Sequence, residues 1–320
     1  MHYPVGGKAV LRTVYGETLA ELGAENGDII VLDADVSKST QTSIFAEKFP
    51  DRFFNLGIAE QDMLGTAAGL ANYGKIPFAS TFAIFETGRA WEQIRNSICY
   101  TRLPVKIVAT HAGLTVGPDG GSHQSVEDIA IMRALPNMSV VVPADAVETR
   151  SVLRRILHYS SGPVYVRLGR DKAVTVFPED YQFEFGQATL LRPGSDVTLI
   201  ACGILTGTAV QAAALLEEKG ISAAVVNMSS IKPLDEAMIV KMARETGALV
   251  TCEEHSVIGG LYSAVAEVTA RRHPVPVEAV AINDQFGESG EGDELLEKHG
   301  LTAAGILARA EAVLARKKAP

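Results

Sequence analysis

The chain has 320 residues, of which 47% are hydrophobic and 21% charged, and its formal net charge is -9 at pH 7. This composition is typical of a soluble globular protein and argues against a disordered or fibrous chain. The negative charge disfavours non-specific binding to nucleic acid or to an anionic membrane, so we expect neither as a partner. The length favours two domains over one.

Nothing in the sequence indicates a metal site, a disulfide framework or a membrane segment. Cys99, Cys202 and Cys252 are far apart and form no CxxC pair. The N-terminal sequence lacks the basic start and apolar block of a signal peptide, and no apolar run approaches membrane length. We therefore expect a cytoplasmic protein with reduced cysteines and no metal ligands of its own.

Short apolar runs alternate with helical patterns along residues 1–170. The runs are continuously apolar, which indicates strands buried on both faces of a sheet. Helical patterns lie between them, for example at 82–100 and 145–158. The sequence therefore predicts an α/β domain whose mostly parallel sheet lies between helices, with strands at "DIIVLDAD", "IPFAST", "VKIVATH", "MSVVVPAD" and "PVYVRLG".

Residues 171–193 lack a sustained period, and we interpret them as a linker. The alternation of strands and helices then restarts, so residues 194–320 predict a second, smaller α/β domain. The glycine-rich motifs of dinucleotide-binding folds and of P-loops do not occur. The segment "GESGEG" at 287–292 has its glycines in the wrong order, so we expect no nucleotide site of either kind.

Two segments carry unusual polar residues. In "FNLGIAEQDMLG", Glu60 lies among apolar and small residues where a helical pattern begins; a carboxylate that complements the helix dipole is the commoner explanation for such a position. The loop "THAGLTVGPDGGSHQ", residues 110–124, follows a buried strand, where ligands bind in α/β sheets. Its histidines and aspartate could be acid/base groups, metal ligands or solvated polar residues.

These segments occur in a recognisable series: "FFNLGIAEQDMLGTAAGLA", "FASTFAIF", "ATHAGLTVGPDGGSHQSVED" and "GPVYVRLGR". The series resembles the pyrimidine-binding and C-terminal domains of transketolase, in the family's order and spacing along almost the whole chain. The resemblance implies thiamine diphosphate as cofactor. It also implies that Glu60 hydrogen-bonds a nitrogen of the cofactor's pyrimidine ring and drives the tautomer shift that activates it. An apolar setting favours proton sharing between that carboxyl group and the ring.

The resemblance further implies an aromatic wall for the pyrimidine, formed by Phe82 and Phe85. The alternative is that both are core residues spaced three apart on a helix. Gly88 stands where many transketolases have a further aromatic residue, and Trp91 is a candidate to replace it. Asp35 matches a position near the cofactor, although a turn or capping role is an equal alternative.

Six residues match the family's substrate-contacting positions. His123 would shuttle protons at the sugar carbonyl and hydroxyl, so it and His111 join Glu60 as the expected catalytic residues. Asp119 would bind a sugar hydroxyl. The expected phosphate-binding group is suited to an anion because arginine offers several planar donors; its members are Arg12, Ser39, His111 and Arg170. In the family the second domain lies away from the chemistry, so we expect His255, in "CEEHSVIGG", to be structural or at an interface.

The family's diphosphate and metal site contains a GDG motif, which this sequence lacks. The resemblance therefore implies a second chain, an N-terminal transketolase subunit that binds the diphosphate and Mg2+ (or Ca2+), in an α2β2 heterotetramer. The reaction implied is transfer of a two-carbon ketol unit between sugar phosphates. One alternative is a 1-deoxy-D-xylulose-5-phosphate synthase, although this chain has Asp62 and His111 where that family usually has His and Arg. Another is a 2-oxoacid dehydrogenase beta subunit, which lacks the "DGxxHQ" signature, and a third is a non-catalytic partner subunit.

Overall fold

A computed structural model describes residues 2–318; residues 1 and 320, the outer bounds of the expected domains, lie outside this range. Its strands are β1 (Lys8–Val10), β2 (Ile29–Asp33), β3 (Phe53–Asn55), β4 (Ile76–Ser80), β5 (Lys106–Ala109), β6 (Ser139–Val141), β7 (Val164–Arg167), β8 (Lys172–Val174), β9 (Thr189–Arg192), β10 (Val197–Ala201), β11 (Ala223–Asn227), β12 (Ser230–Lys232), β13 (Leu249–Ser256) and β14 (Val277–Ile282).

Its α-helices are α1 (Leu11–Glu25), α2 (Ser37–Thr40), α3 (Ser43–Lys48), α4 (Glu60–Asn72), α5 (Ala83–Arg89), α6 (Trp91–Gln93), α7 (Asp128–Arg133), α8 (Ala146–Leu157), α9 (Leu205–Glu218), α10 (Glu236–Thr246), α11 (Leu261–Arg272), α12 (Gly292–Lys298) and α13 (Ala303–Lys318). Short 3-10 segments lie at Pro50–Arg52 and Leu114–Asp119, and a π-helical segment at Ile94–Cys99 follows α6.

The first domain is built on a sheet of strand order β3-β2-β4-β5-β7-β6-β12, in which all strands but β12 are parallel. Both faces are buried, because Ile30 and Leu32 of β2 pack on the side of α4 while Ile29 and Val31 pack on the side of α1 and α8. This two-sided burial is the reason for the continuous apolar runs in the sequence.

The second domain has a sheet of order β14-β13-β10-β11-β9, parallel except for the edge strand β9. Helices α9 and α13 cover one face. Helices α10 and α11 cover the other, and their apolar residues join the core that lies under α4. The predicted two-domain α/β fold with mostly parallel sheets is therefore confirmed, and one apolar core crosses the boundary between the domains.

Two features near the boundary were not visible in the sequence. The segment 171–193, expected as a linker, contains β8, which pairs with β1, and β9, which forms the edge of the second sheet. Strand β12 lies within the second domain's sequence but pairs antiparallel with β6 of the first sheet, with Ser230 opposite Val141. Paired strands and a shared core make the two domains a single packed body.

Candidate active site

Apart from Arg12, which lies on α1, the expected site residues lie at the carboxyl ends of neighbouring parallel strands. The turn 34–42 follows β2, the segment 81–89 follows β4, and the loop 110–124 follows β5. Because β2, β4 and β5 are adjacent and parallel in the sheet, these three segments meet at one edge. Glu60 comes to the same edge as the first residue of α4, which follows β3.

Glu60 is almost completely buried, with 5% of its side chain exposed. Its Oε1 accepts a hydrogen bond of 2.6 Å from Nη1 of Arg89, whose side chain is 52% exposed. A carboxylate that only complements a helix dipole needs no such burial. Arg89 could not be recognised as its partner from the sequence, since the two residues are 29 positions apart.

Four rings form an aromatic cluster beside this carboxylate: Phe82, Phe85, His111 and His123. The rings of Phe82 and Phe85 are stacked, with centroids 5.9 Å apart and an angle of 18° between their planes. The His111 ring stacks on Phe82 at 3.9 Å, and the His123 ring meets Phe85 edge-on at 5.1 Å. The fold therefore brings together four residues that the sequence had singled out in separate segments.

The position of Gly88 is open, since a Cβ there would have no atom within 4 Å. Trp91 does not replace the missing aromatic residue: it packs against the core, and its indole N–H donates to the carbonyl oxygen of Ile131 at 3.2 Å. The guanidinium of Arg89 lies over the Phe85 ring instead, 4.2 Å from its centroid. Arg89 thus contacts both the carboxylate and the aromatic wall.

His111 is 3% exposed and has a positive φ of 56°, an uncommon backbone conformation for a residue other than glycine. Its Nδ1 lies 2.8 Å from Oγ1 of Thr110. Burial lowers its pKa to about 3, and the nearby positive charges of Arg12 and Arg170 act in the same direction. The imidazole is therefore neutral near pH 7 and acts as a hydrogen-bonding group without charge.

Arg12 and Arg170 lie on a cavity of about 320 Å3, which Thr115, Val116 and Glu291 also line. Nη1 of Arg12 donates to the carbonyl oxygen of Ser39 at 2.7 Å. Arg170 donates to the carbonyl oxygen of Val116 and lies 3.7 Å from Oδ2 of Asp119. Burial and the charge of Arg170 lower the pKa of Arg12. Two guanidinium groups that repel each other favour an anion near them, while Asp171 and Glu291 on the same cavity act in the opposite direction.

Asp33 holds the turn that carries Asp35 and Ser39. Its buried carboxylate accepts hydrogen bonds from the Val36 amide at 2.7 Å and from the hydroxyl groups of Thr40 and Thr42 at 2.8 and 2.9 Å. Asp35 itself adopts a positive φ of 65° and accepts a bond of 2.8 Å from the side chain of Asn55. Sequence reasoning singled out Asp35 and missed Asp33, although the placement of Asp33 at a strand end was an available signal.

Glu86 is a second residue that sequence reasoning missed. It lies on α5 between the residues of the aromatic wall and Arg89, and it is completely buried. Burial raises its pKa well above the ordinary value, and the nearby carboxylates of Asp33 and Glu60 act in the same direction. Burial therefore favours the protonated, uncharged form of this side chain. An isolated acidic residue in a helical pattern carries no sequence signal for such burial.

His255 is completely buried where the two domains meet. The Ala130 amide, in the first domain, donates to its Nε2 at 3.3 Å, and its Nδ1 lies 2.8 Å from the carbonyl oxygen of Ser256. These contacts fit the structural, interface role expected for it. The second domain as a whole lies closer to the site than expected, because Gln124 donates to the carbonyl oxygen of Glu288 at 2.9 Å.

Within residues 2–318, no group of three or more His, Cys, Asp or Glu side chains is arranged to hold a metal ion. The same range contains no helix with the length and apolarity needed to span a membrane. The three cysteines are buried and free.

Comparison with known proteins agrees with this geometry. The family model of the transketolase pyrimidine binding domain matches residues 8–174, and that of the transketolase C-terminal domain matches residues 186–306. A solved structure titled split gene transketolase, inactive beta4 tetramer, is 56% identical and has a TM-score of 0.90, with 97% of this chain and 99% of that chain covered.

Relatives of similar length and of double length are both found. A protein of Methanocaldococcus jannaschii described as a transketolase C-terminal section is 52% identical over 93% of this chain and 94% of its own length. A 6-deoxy-6-sulfo-D-fructose transketolase subunit of a Clostridium species is 43% identical over 96% of this chain and 95% of its own length. A 1-deoxy-D-xylulose-5-phosphate synthase of Thermomicrobium roseum is 40% identical over 94% of this chain but 48% of its own length. The chain, with its pyrimidine-binding and C-terminal domains, belongs to the transketolase family.

Proposed function

We propose that this chain is the C-terminal subunit of a thiamine-diphosphate-dependent transketolase. It would transfer a two-carbon ketol unit from a ketose phosphate to an aldose phosphate, and only together with a partner chain. The observation that supports this most strongly is the cluster of Phe82, Phe85, His111 and His123 beside the buried carboxylate of Glu60. An aromatic wall, a buried acid and two imidazoles at one sheet edge suit a planar cofactor and a polar substrate.

The residues present fit the pyrimidine half of thiamine diphosphate. Phe82 and Phe85 offer a stacked aromatic wall, and a flat ring gains apolar burial and orientation against such a wall. Glu60 offers a carboxyl group with little access to water, which can share a proton with a ring nitrogen. Arg89 currently occupies Oε1 of Glu60, and its half-exposed side chain can move aside as a ligand enters. When bound, the cofactor supplies the electron sink for carbon–carbon bond cleavage and formation.

The remaining site residues suit a sugar phosphate. His111, kept neutral by burial, offers a hydrogen bond at the sugar, and His123 takes or gives the proton of the carbonyl or hydroxyl group. Asp119 accepts from a sugar hydroxyl. The phosphate-binding group is Arg12, Ser39, His111 and Arg170, because two arginines on one cavity provide charge-assisted donors. Asp35 lies in the turn that also carries Ser39, and it would help to hold the cofactor.

The partner would supply what this chain's described residues do not offer, a site for the diphosphate and for Mg2+ (or Ca2+). Relatives that match this chain over nearly their whole length are described as a C-terminal section or a subunit, which supports a two-chain enzyme. We propose an N-terminal transketolase subunit as the partner, in an α2β2 heterotetramer, since twofold assemblies are the general rule. A cytoplasmic location is consistent with three buried, free cysteines.

Two alternatives to a transketolase subunit can be distinguished from it by experiment. In a 1-deoxy-D-xylulose-5-phosphate synthase, His and Arg are usual at the positions of Asp62 and His111; here His111 stacks on Phe82 in a buried place that a charged arginine would not share easily. A non-catalytic partner subunit would have no need for a buried Glu60 beside an aromatic wall. The same assay distinguishes all three.

The test is a ketol-transfer assay with xylulose phosphate, ribose phosphate, thiamine diphosphate and magnesium. The chain is assayed alone, its diphosphate-domain partner alone, and then both together. We expect activity only in the mixture. Synthesis of deoxyxylulose phosphate from pyruvate and glyceraldehyde phosphate would favour the synthase, and an assembled, cofactor-loaded complex that is inert with all these substrates would refute the proposed activity.

A further inference from the structure

The second domain contacts the loop that carries the expected substrate residues. The contacted part of the loop 110–124 is residues 113–124, which we call the substrate loop. The facing segment, 284–291, lies between β14 and α12. Nε2 of Gln124 donates to the carbonyl oxygens of Leu114 at 3.3 Å and Gly117 at 3.1 Å within its own loop, and to that of Glu288 at 2.9 Å across the boundary. One buried side chain thus closes the substrate loop and fastens it to the second domain.

The backbones of the two segments approach too closely for side chains. A Cβ built on Gly121 would lie 2.6 Å from the carbonyl oxygen of Gly287, and real Cβ atoms essentially never come so near. Gly121 does not have a positive φ, so its own turn does not require glycine. The second domain alone imposes the requirement for glycine there.

A third contact comes from β13. The carboxylate of Glu254, 4% exposed, accepts a hydrogen bond of 2.7 Å from the backbone amide of Thr115. Burial raises the pKa of this carboxyl to about 7, against the opposing charge of Arg167. Burying a carboxyl group that accepts from a loop amide lowers the stability of the fold. We therefore explain this contact by the conformation that it imposes on the loop.

We propose that Glu254 and the segment 284–291 of the second domain form a brace that holds the substrate loop 113–124 in its working conformation, with Gln124 as the positioning residue between them. His123 directly precedes Gln124, and Asp119 lies within the loop that Gln124 closes. The second domain thereby takes part in catalysis through the conformation of the loop. This inference rests on the proposed function for its catalytic consequence.

The expected consequence is a loss in turnover with little change in cofactor binding. Displacing a catalytic side chain by about 1 Å can reduce the rate by about 100-fold. The residues that bind the cofactor, Glu60, Phe82 and Phe85, belong to α4 and the segment around α5 and lie outside the braced loop. A merely structural defect would lower cofactor binding, assembly and turnover together.

The test uses the assembled two-chain complex and three variants. Gly121→Ala pushes on Gly287, Gln124→Met removes the donor at nearly constant volume, and Gly27→Ala is the matched control. Gly27 is exposed, lacks a positive φ and has no atom within 4 Å of a built Cβ. Three measurements are made: the kinetics of ketol transfer (kcat and KM), the Kd for thiamine diphosphate, and deuterium uptake by peptides that cover 113–124.

We expect Gly121→Ala and Gln124→Met to lower kcat by about 10- to 100-fold and to raise deuterium uptake in the loop. The Kd for the cofactor should stay within about twofold of the wild-type value. The Gly27→Ala control should match the wild type in all three. Unchanged loop uptake, or raised uptake with unchanged kcat, would overturn the proposal. If Gly121→Ala fails to fold, Gln124→Met decides. A wild-type complex without ketol transfer would refute the proposed function instead, and loop uptake would then still decide whether the brace exists.

Discussion

The His111 ring lies on the Phe82 ring, with centroids 3.9 Å apart and an angle of 22° between the planes. The two residues come from segments that follow the neighbouring strands β4 and β5. Their stacking therefore couples the residue expected to bind substrate to the wall expected to bind cofactor. A single aromatic contact aligns the two halves of the site.

Replacing Phe82 should weaken cofactor binding. An aromatic pair contributes about 0.5–1.5 kcal/mol beyond area burial, so Phe82→Leu should raise the Kd for thiamine diphosphate in the two-chain complex by about 2- to 10-fold. Fluorescence titration measures the Kd. Tyr100→Leu, at a ring that is 83% exposed, is the control and should leave it unchanged. Equal Kd values for both variants would contradict the assignment of the wall.

Replacing Arg170 should affect phosphorylated substrates selectively. A hydrogen bond to a charged group contributes about 1.5–3 kcal/mol, so Arg170→Gln should raise the KM for an aldose phosphate by about 10- to 100-fold. The same variant should scarcely change the KM for the unphosphorylated aldose. Arg155→Gln, which removes a surface arginine paired with Glu184, serves as control. A uniform loss with both kinds of acceptor would show that Arg170 acts through the loop rather than on phosphate.

His111 should contribute to acid sensitivity. Its pKa is lowered by burial to about 3 in the folded chain and is about 6.5 in an unfolded one. Between these values the unfolded state binds the extra proton, so stability is complete above pH 6.5 and is lost as the pH falls towards 3. The slope is about 1.4 kcal/mol per pH unit. Denaturant unfolding of His111→Asn across this window should show a shallower loss, and an unchanged slope would contradict the buried, neutral imidazole.

Replacing one residue of the buried pair Arg167 and Asp128 should lower the free energy of unfolding more than replacing both. Nε of Arg167 donates to Oδ2 of Asp128 at 2.8 Å, and Arg167 also donates to the carbonyl oxygen of Glu254 at 2.9 Å. Arg167→Met leaves a buried carboxylate without its counter-charge, which should cost about 3–5 kcal/mol in the free energy of unfolding. Arg167→Met with Asp128→Asn should recover part of this loss. A double variant less stable than the single one would contradict this interpretation.

The order of strands and helices could be predicted because local patterns specify it. Strand β2 is apolar at every position since each of its faces meets a helix layer, and the helix α4 begins at Glu60 where the pattern changes period. The substrate loop was recognisable because it follows the buried strand β5. Such signals lie within about ten residues of each other and need no knowledge of the rest of the chain.

What could not be predicted are contacts between distant segments. Arg89 reaches Glu60 across 29 positions and Gln124 reaches Glu288 across 164, and neither pairing has a local signature. The glycines of "GESGEG" approach the substrate loop closely, and their spacing in the sequence does not indicate that contact. Strand β12 was missed because three residues carry too weak a pattern to show which sheet they join.

We propose that Glu60 activates the cofactor, a role beyond complementing a helix dipole. Asp62 offers a matched control, since it lies exposed in the same first turn of α4. The measurement is the rate of proton exchange at the thiazolium C2 of bound thiamine diphosphate in D2O, followed by NMR in the two-chain complex. We predict that Glu60→Gln slows this exchange by at least about 100-fold, whereas Asp62→Asn leaves it near the wild-type rate. Exchange at the wild-type rate in Glu60→Gln, or equal slowing in both variants, would contradict the assigned role.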